Sequence, residues 1–228
     1  MVLLLSLGGC RVWDALFGSS FDSGGRTIWT VKNHVNSSKP FFGDSVAYFL
    51  DNEHQVTAVD KRTGRVRWSV VLPVNLSNTI GFGGVIADGK VVVGDADVFA
   101  LDPADGKVVW RFTPADGRNP GGSIPRRWND LVITGSATGD VYGISARDGT
   151  QAWSRKLVPR TNVRVFSPVV AGDAVYAGFA DTEIASNGET QGGLAALDAA
   201  TGVVRWLTYL PHNVDPLSPT APLDPALA

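Results

Sequence analysis

Apolar and polar residues alternate at four places along the chain, and each alternation ends in the same way. Residues 56–68 (VTAVDKRTGRVRW), 98–110 (VFALDPADGKVVW), 141–153 (VYGISARDGTQAW) and 194–206 (LAALDAATGVVRW) align without a gap. The alternation runs up to Val59, Leu101, Ile144 and Leu197, which is the period of a half-buried strand. An Asp-x-x-(Thr/Asp)-Gly turn follows at Asp60, Asp102 and Asp198, with Ser145 replacing Asp in the third repeat. Asp or Ser accepts backbone N–H bonds there, and Gly64, Gly106, Gly149 and Gly202 close the hairpin in the left-handed conformation. A second strand then carries Trp68, Trp110, Trp153 or Trp206. With 7 Trp in 228 residues, the 26 glycines should meet a Trp four residues on about once by chance, and the alignment supplies four such pairs. Gly25 with Trp29 adds a fifth. Two positions before the Asp column stands a small residue, Ala58, Ala100, Gly143 or Ala196, which is expected to leave room for the Trp ring of a neighbouring repeat.

Further β-rich runs lie upstream of each segment, among them DSVAYFL, GGVIADGKVVVG, NDLVITGS and SPVVAGDAVYAGF. That makes about four short strands per repeat of 40–50 residues and no amphipathic helix, the signature of propeller blades. The predicted fold is all-β, a β-propeller of four blades plus edge strands over residues 27–210. The pattern Ala-Leu-Asp-x-x-(Thr/Asp)-Gly-x-x-x-Trp resembles the tryptophan docking motif of pyrroloquinoline-quinone-type (PQQ-like) propeller repeats. The resemblance implies that each Trp is buried between adjacent blades and that the repeat is structural. Trp29, in RTIWTVKN, reads as an outermost strand without partners of its own. Only 22 residues follow Trp206, and Pro211, Pro216, Pro219, Pro222 and Pro225 interrupt them. Proline cannot donate to a ladder, so residues 211–228 read as a tail or the start of a truncated blade, and the propeller as incomplete.

The single cysteine, Cys10, rules out an intrachain disulfide and a cysteine-rich zinc site. Leu7-Gly8-Gly9-Cys10 resembles a bacterial lipobox, which implies a signal segment over residues 1–9 and a lipid anchor on Cys10. Residues 10–26, rich in Ser and Gly, read as a tether. Charged residues are 18% of the chain and the net charge is −2, so no basic surface for nucleic acid is expected.

Chemistry is sparse. Gly135-Ser136-Ala137-Thr138-Gly139 has Ala where a nucleophile elbow needs Ser, and no phosphate loop occurs. The Gly81, Gly83, Gly84 cluster fits a hairpin. His34, His54 and His212 share no ligand spacing and read as solvated turn residues, as do Asp51, Asp97, Asp140, Asp173 and Asp181. Quinoprotein dehydrogenases are similar in blade motif, and many of the alcohol-oxidising members use an adjacent cysteine pair that a single Cys10 excludes. No catalytic residue, cofactor or metal is expected. Arg155, Lys156, Arg160 and Arg164 lie in the connection between two blades and are candidates for binding an acidic partner. Asp181–Gly193 reads as a polar hairpin insertion of about ten residues. Lipobox, tether, Trp strand and PQQ-like blades together resemble the lipoprotein propeller subunits of the outer-membrane β-barrel assembly machinery. That resemblance implies a non-catalytic, lipid-anchored scaffold binding envelope or outer-membrane proteins, on the periplasmic side and at the outer rather than the inner membrane. The alternative is a piece of a quinoprotein dehydrogenase.

Overall fold

The computed structural model describes residues 2–5, 29–32, 39–74, 83–114, 123–159, 163–181 and 192–210, and these contain strands and turns but no helix. Two strands, β1 (Val2–Leu5) and β2 (Trp29–Lys32), pair antiparallel. The strand around Trp29 therefore has a partner, contrary to the expectation from the sequence. Four antiparallel meanders follow. Blade one is β3 (Phe41–Phe42), β4 (Val46–Leu50), β5 (Gln55–Asp60) and β6 (Val66–Val71), paired in that order. Blade two is β7 (Gly83–Ala87), β8 (Lys90–Gly94), β9 (Val98–Leu101) and β10 (Val108–Phe112). Blade three is β11 (Arg126–Trp128), β12 (Leu131–Gly135), β13 (Asp140–Ser145) and β14 (Gln151–Lys156). Blade four has a divided inner strand, β15 (Val163–Val165) and β16 (Val169–Ala171), then β17 (Ala174–Asp181), β18 (Gly192–Asp198) and β19 (Val204–Tyr209). β15 and β16 pair with opposite ends of β17, and Pro168, which has no N–H to give a ladder, stands between them. Gly83 and Gly84 open the inner strand β7 rather than forming the hairpin expected of them, and Gly81 lies outside the described residues.

The core sits between blades, not within them. One layer joins Tyr48, Leu50, Val56 and Trp68 of blade one to Val91, Val93, Phe99 and Leu101 of blade two. A second joins Val98, Trp110 and Phe112 to Val132, Tyr142 and Ile144. A third joins Ile133, Val141 and Trp153 to Val175, Phe179 and Leu197. Trp29 packs against Ala47, Phe49 and Val59 on the remaining face of blade one. Alternate residues of a strand face opposite sides, so one sheet serves two layers.

Each blade also carries the same irregularity. The small residue and the Trp are cross-strand partners: Ala58 with Trp68, Ala100 with Trp110, Gly143 with Trp153, Ala196 with Trp206. One residue of the outer strand is then bulged out, namely Arg67, Val109, Ala152 or Arg205. The small column therefore clears space for the Trp of its own blade, which corrects the assignment to a neighbour. A Cβ on Gly143 would collide with the Trp153 ring.

Blade docking and candidate interaction surfaces

The rings of Trp29, Trp68, Trp110 and Trp153 are each received by the turn of the following blade. Gly64, Gly106, Gly149 and Gly202 have φ of 71°, 77°, 77° and 68°. An added Cβ would stand 2.7–2.9 Å from Trp29 at Gly64, 2.7–3.0 Å from Trp68 at Gly106 and 2.8–3.0 Å from Trp110 at Gly149; at Gly202 it would collide with Trp153. Only glycine meets both demands, a left-handed backbone and no side chain under an indole. The turn also supplies an acceptor. Indole Nε1–H donates to Lys61 O from Trp29 (2.7 Å), to Pro103 O from Trp68 (2.9 Å), to Ala146 O from Trp110 (3.1 Å) and to Ala199 O from Trp153 (3.2 Å). In every case the carbonyl belongs to the residue after Asp60, Asp102, Ser145 or Asp198.

The Asp column holds the turn itself. Asp60 Oδ1 accepts from the N–H groups of Arg62 and Thr63 and from Thr63 Oγ1, and Asp198 Oδ1 repeats this with Ala200 and Thr201. In blades one and four the bulged arginine folds back onto it. Arg67 Nη2 reaches Asp60 at 2.7 Å and Ser45 at 3.2 Å, and Arg205 reaches Asp198 at 2.9 Å and Asp173 at 2.7 Å. The Arg205 hydrogen bond, helped by Thr201, holds the Asp198 carboxyl down at about 2. Arg67 first, then Thr63, holds Asp60 well below the usual carboxylate range. An open groove of about 380 Å³ between blades one and two is bordered by Tyr48, Arg67, Ile86 and Pro103, and its one guanidinium is engaged in this strut.

Trp206 breaks the series. Trp68, Trp110 and Trp153 are 9%, 7% and 8% exposed, whereas Trp206 is 44% exposed, against the expectation that all four are buried. The reason is positional: no described blade follows the fourth, so no turn covers the ring.

The second surface is formed by the hairpins between the two middle strands of blades one to three. Of the carboxylates expected to be solvated, Asp51, Asp97 and Asp140 prove buried here, whereas Asp173, in the turn before β17, is exposed as expected. Asp51, Asp95, Asp97 and Asp140 are 1%, 1%, 5% and 8% exposed, and His54 is 9% exposed. Asp51 Oδ1 accepts from Glu53 and Gln55 N–H, and Ser136 Oγ does the same for Thr138 and Asp140. Asp95 Oδ1 accepts from Ala96 N–H while its Oδ2 lies 2.6 Å from His54 Nδ1, tying blade two to blade one. Asp97 pairs with Arg111, whose guanidinium also lies over the Phe99 ring. The strand that ends each of blades one, three and four returns to this hairpin, through Leu72 N–H to His54 O, Leu157 N–H to Gly139 O and Leu210 N–H to Gly192 O. The described residues flanking 75–82, 115–122, 160–162 and 182–191 therefore all lie at one face of the blades.

The three described candidate cations do not form one cluster. Arg155 Nε donates to Gly202 O, and Lys156, next along the strand and pointing the other way, donates to Thr138 O at 2.6 Å and lies 3.5 Å from Asp140. Arg164 sits half-buried on β15, and Arg160 lies outside the described residues. Cys10, His34, His212 and most of the Asp181–Gly193 insertion lie outside them too. Among the described residues, no three His, Cys, Asp or Glu side chains are grouped to hold a metal, and no helix is long and apolar enough to cross a membrane.

These blades, docked Trp into glycine turn, define a PQQ-like β-propeller whose repeat residues bind blade to blade. The chain belongs to the family whose model is described as outer membrane protein assembly factor BamB, matched over residues 19–80 and 74–215. It is 30% identical over 200 residues to the outer membrane protein assembly factor BamB of Nitrosomonas eutropha, covering 83% of this chain and 44% of that protein. It is also 30% identical over 212 residues to a polyvinylalcohol dehydrogenase of Sphingopyxis, covering 89% of this chain and 29% of the enzyme. The crystal structure of BamB from Moraxella catarrhalis superposes with a TM-score of 0.57 at 21% identity, covering 82% of this chain and 68% of that one. The chain spans about half the length of the BamB relatives it matches.

Proposed function

We propose that this chain is a non-catalytic scaffold, anchored by a lipid on Cys10 at the periplasmic side of the bacterial outer membrane, that binds proteins during outer-membrane protein assembly. One observation carries the reading: the Asp, Gly and Trp columns of the repeat are spent on holding turns and docking blades. Function on such a body falls to the face where the connections and hairpins emerge. Arg164 and the described ends of the Asp181–Gly193 insertion lie at that face, and Arg155 and Lys156 serve it by bracing Gly202 and Thr138. The family match, to outer membrane protein assembly factors, supports the partner class. Cleavage before Cys10 would also strip β1 from β2 and leave β2 with an open edge. The test is deletion of the gene in its own cells. Lower outer-membrane content of β-barrel proteins, restored by the wild type but not by a Cys10→Ser form retained in the cytoplasmic membrane, is the expected result. Unchanged barrel content would contradict the proposal.

The second reading, a quinoprotein piece, is favoured by the polyvinylalcohol dehydrogenase relative. Calorimetric titration with the quinone and calcium decides it, because micromolar or tighter binding with dye reduction on adding an alcohol would replace the scaffold reading.

A further inference from the structure

We infer that the β4–β5 hairpin of blade one, residues 51–54, is a binding site for a hard divalent cation of the calcium type. The β12–β13 hairpin of blade three is its plain counterpart. Asp51 N–H donates to Gln55 O as Ser136 N–H donates to Asp140 O, and the carbonyls of His54 and Gly139 accept from Leu72 and Leu157. The blade-three turn reads Ser-Ala-Thr-Gly, and the blade-one turn reads Asp-Asn-Glu-His. Three of these replacements cost something that closing the turn does not require. Ser136 Oγ alone caps the Thr138 and Asp140 N–H groups, and Asp51 Oδ1 alone does the same for Glu53 and Gln55. Asp51 Oδ2 is then surplus: it is buried, on a residue 1% exposed, and has no hydrogen-bond partner. Asn52, where blade three has Ala137, also buries its Oδ1 without a partner. His54 holds φ at 63° where Gly139 holds 89°, a left-handed backbone that glycine adopts without strain and histidine does not.

The two orphaned atoms define the ligand's chemistry. Both are oxygens that accept and cannot donate, they belong to adjacent residues of one tight turn, and one belongs to a carboxylate. A buried carboxylate oxygen with neither donor nor counter-charge destabilises the fold, and a bound cation removes that cost. One carboxylate and one amide oxygen, completed by main-chain carbonyls and water, form an all-oxygen set. Calcium accepts such a set because it takes about six to eight oxygens in irregular geometry, whereas magnesium demands a near-ideal octahedron. A site of this kind needs no third His, Cys, Asp or Glu. His54 has its own anchor: Nδ1 lies 2.6 Å from Asp95 Oδ2 in the hairpin of blade two, which pins the turn that carries Asp51 and Asn52. Asn52 is half-buried and Glu53 exposed, so the hairpin is within reach of ions from solvent. The hairpin holds the ion without a quinone, which makes the inference independent of both functional readings above.

The experiment is calorimetric titration of calcium alone into the full 228-residue chain after chelator treatment, with thermal midpoints measured in parallel. Calcium binding with a Kd below about 1 mM and a rise in the midpoint are expected, with a smaller rise for magnesium at equal concentration. Asp51→Ser installs the residue that caps the same turn in blade three, so it keeps the hairpin and removes only Oδ2. It should abolish this binding. In chelator its midpoint should equal or exceed that of the wild type, because an unpaired buried charge is gone. Asn52→Ala, again the blade-three residue, should weaken binding at least about tenfold with an unchanged circular dichroism spectrum. No binding by the wild type at several millimolar calcium, a magnesium response as large as that to calcium, or binding unchanged in either variant would overturn the inference. So would an Asp51→Ser chain less stable than the wild type in chelator, since Oδ2 would then serve the fold itself.

Discussion

Blades one and four are built from the same parts and end in different states. Both have a Tyr beside the docking Trp, a bulged arginine folded onto the turn Asp, and a glycine turn that receives an indole from the preceding side. In blade one the Tyr48–Trp68 pair lies under blade two; in blade four Tyr176–Trp206 faces solvent. Local sequence therefore decides the shape of a blade, while burial of its docking residue is decided by the blade that follows. This is the behaviour of a quasi-one-dimensional repeat protein, in which stability is a sum of repeat and interface terms.

The largest expected effect separates these two states directly. Trp153→Ala should cost about 3–5 kcal/mol in denaturant unfolding, the range for truncating a large aromatic in a core. Trp206→Ala in the monomer should stay within about 0.5 kcal/mol. Equal losses at the two positions would remove the distinction between a docked and an open blade.

Glycine substitutions sharpen the same comparison. Gly106→Ala combines a left-handed backbone with a collision against Trp68 and should cost roughly 2–4 kcal/mol. Gly172→Ala, at a φ of 60° but with open space around the new Cβ, should cost only about 1–2 kcal/mol. Thermal midpoints of the two variants check this, and similar shifts would mean that the indole gives way at no cost.

A smaller loss, about 1–3 kcal/mol, is expected for His54→Ala, which leaves the buried Asp95 oxygen without its cross-blade partner. It should appear in hydrogen exchange as faster opening between blades one and two, with blade four unchanged. Uniform loosening of all blades would deny that the pair acts at one interface.

The smallest effect is a pH dependence. Folding lowers the Asp198 carboxyl to about 2, below an unfolded value near ~3.9, so its pairing with Arg205 stabilises fully above the unfolded value. That contribution is lost as pH falls through about 2. Because the pair is exposed, the loss should be slight and reduced by salt. Acid titration of Arg205→Ala should show a flatter stability curve between pH 4 and 2 than the wild type, and superimposable curves would rule the strut out.

Much of this was legible in the chain because the blade writes its rules locally. The Asp, Gly and Trp columns lie within nine residues of one another, so hairpin, left-handed turn and outer strand followed from spacing alone. What was not legible depends on residues one repeat away. His54 and Asp95 are 41 positions apart and meet only because successive blades stack hairpin beside hairpin, so His54 looked no different from a solvated turn residue. The bulge at Arg67 and Arg205 leaves no mark in the spacing, yet it makes the small column serve its own Trp. Trp206 carries the full docking motif, and only the lack of a following turn among the described residues exposes it.

Exchange of the indole N–H protons, resolved site by site at a concentration where the chain is monomeric, tests the docking account most directly. Trp68, Trp110 and Trp153 donate to carbonyls of the next blade and should be protected by several orders of magnitude, on the order of global or inter-blade opening. Trp206 should exchange close to the rate of a free indole. Protection of Trp206 equal to the other three in the monomer, or unprotected exchange at all four, would contradict it.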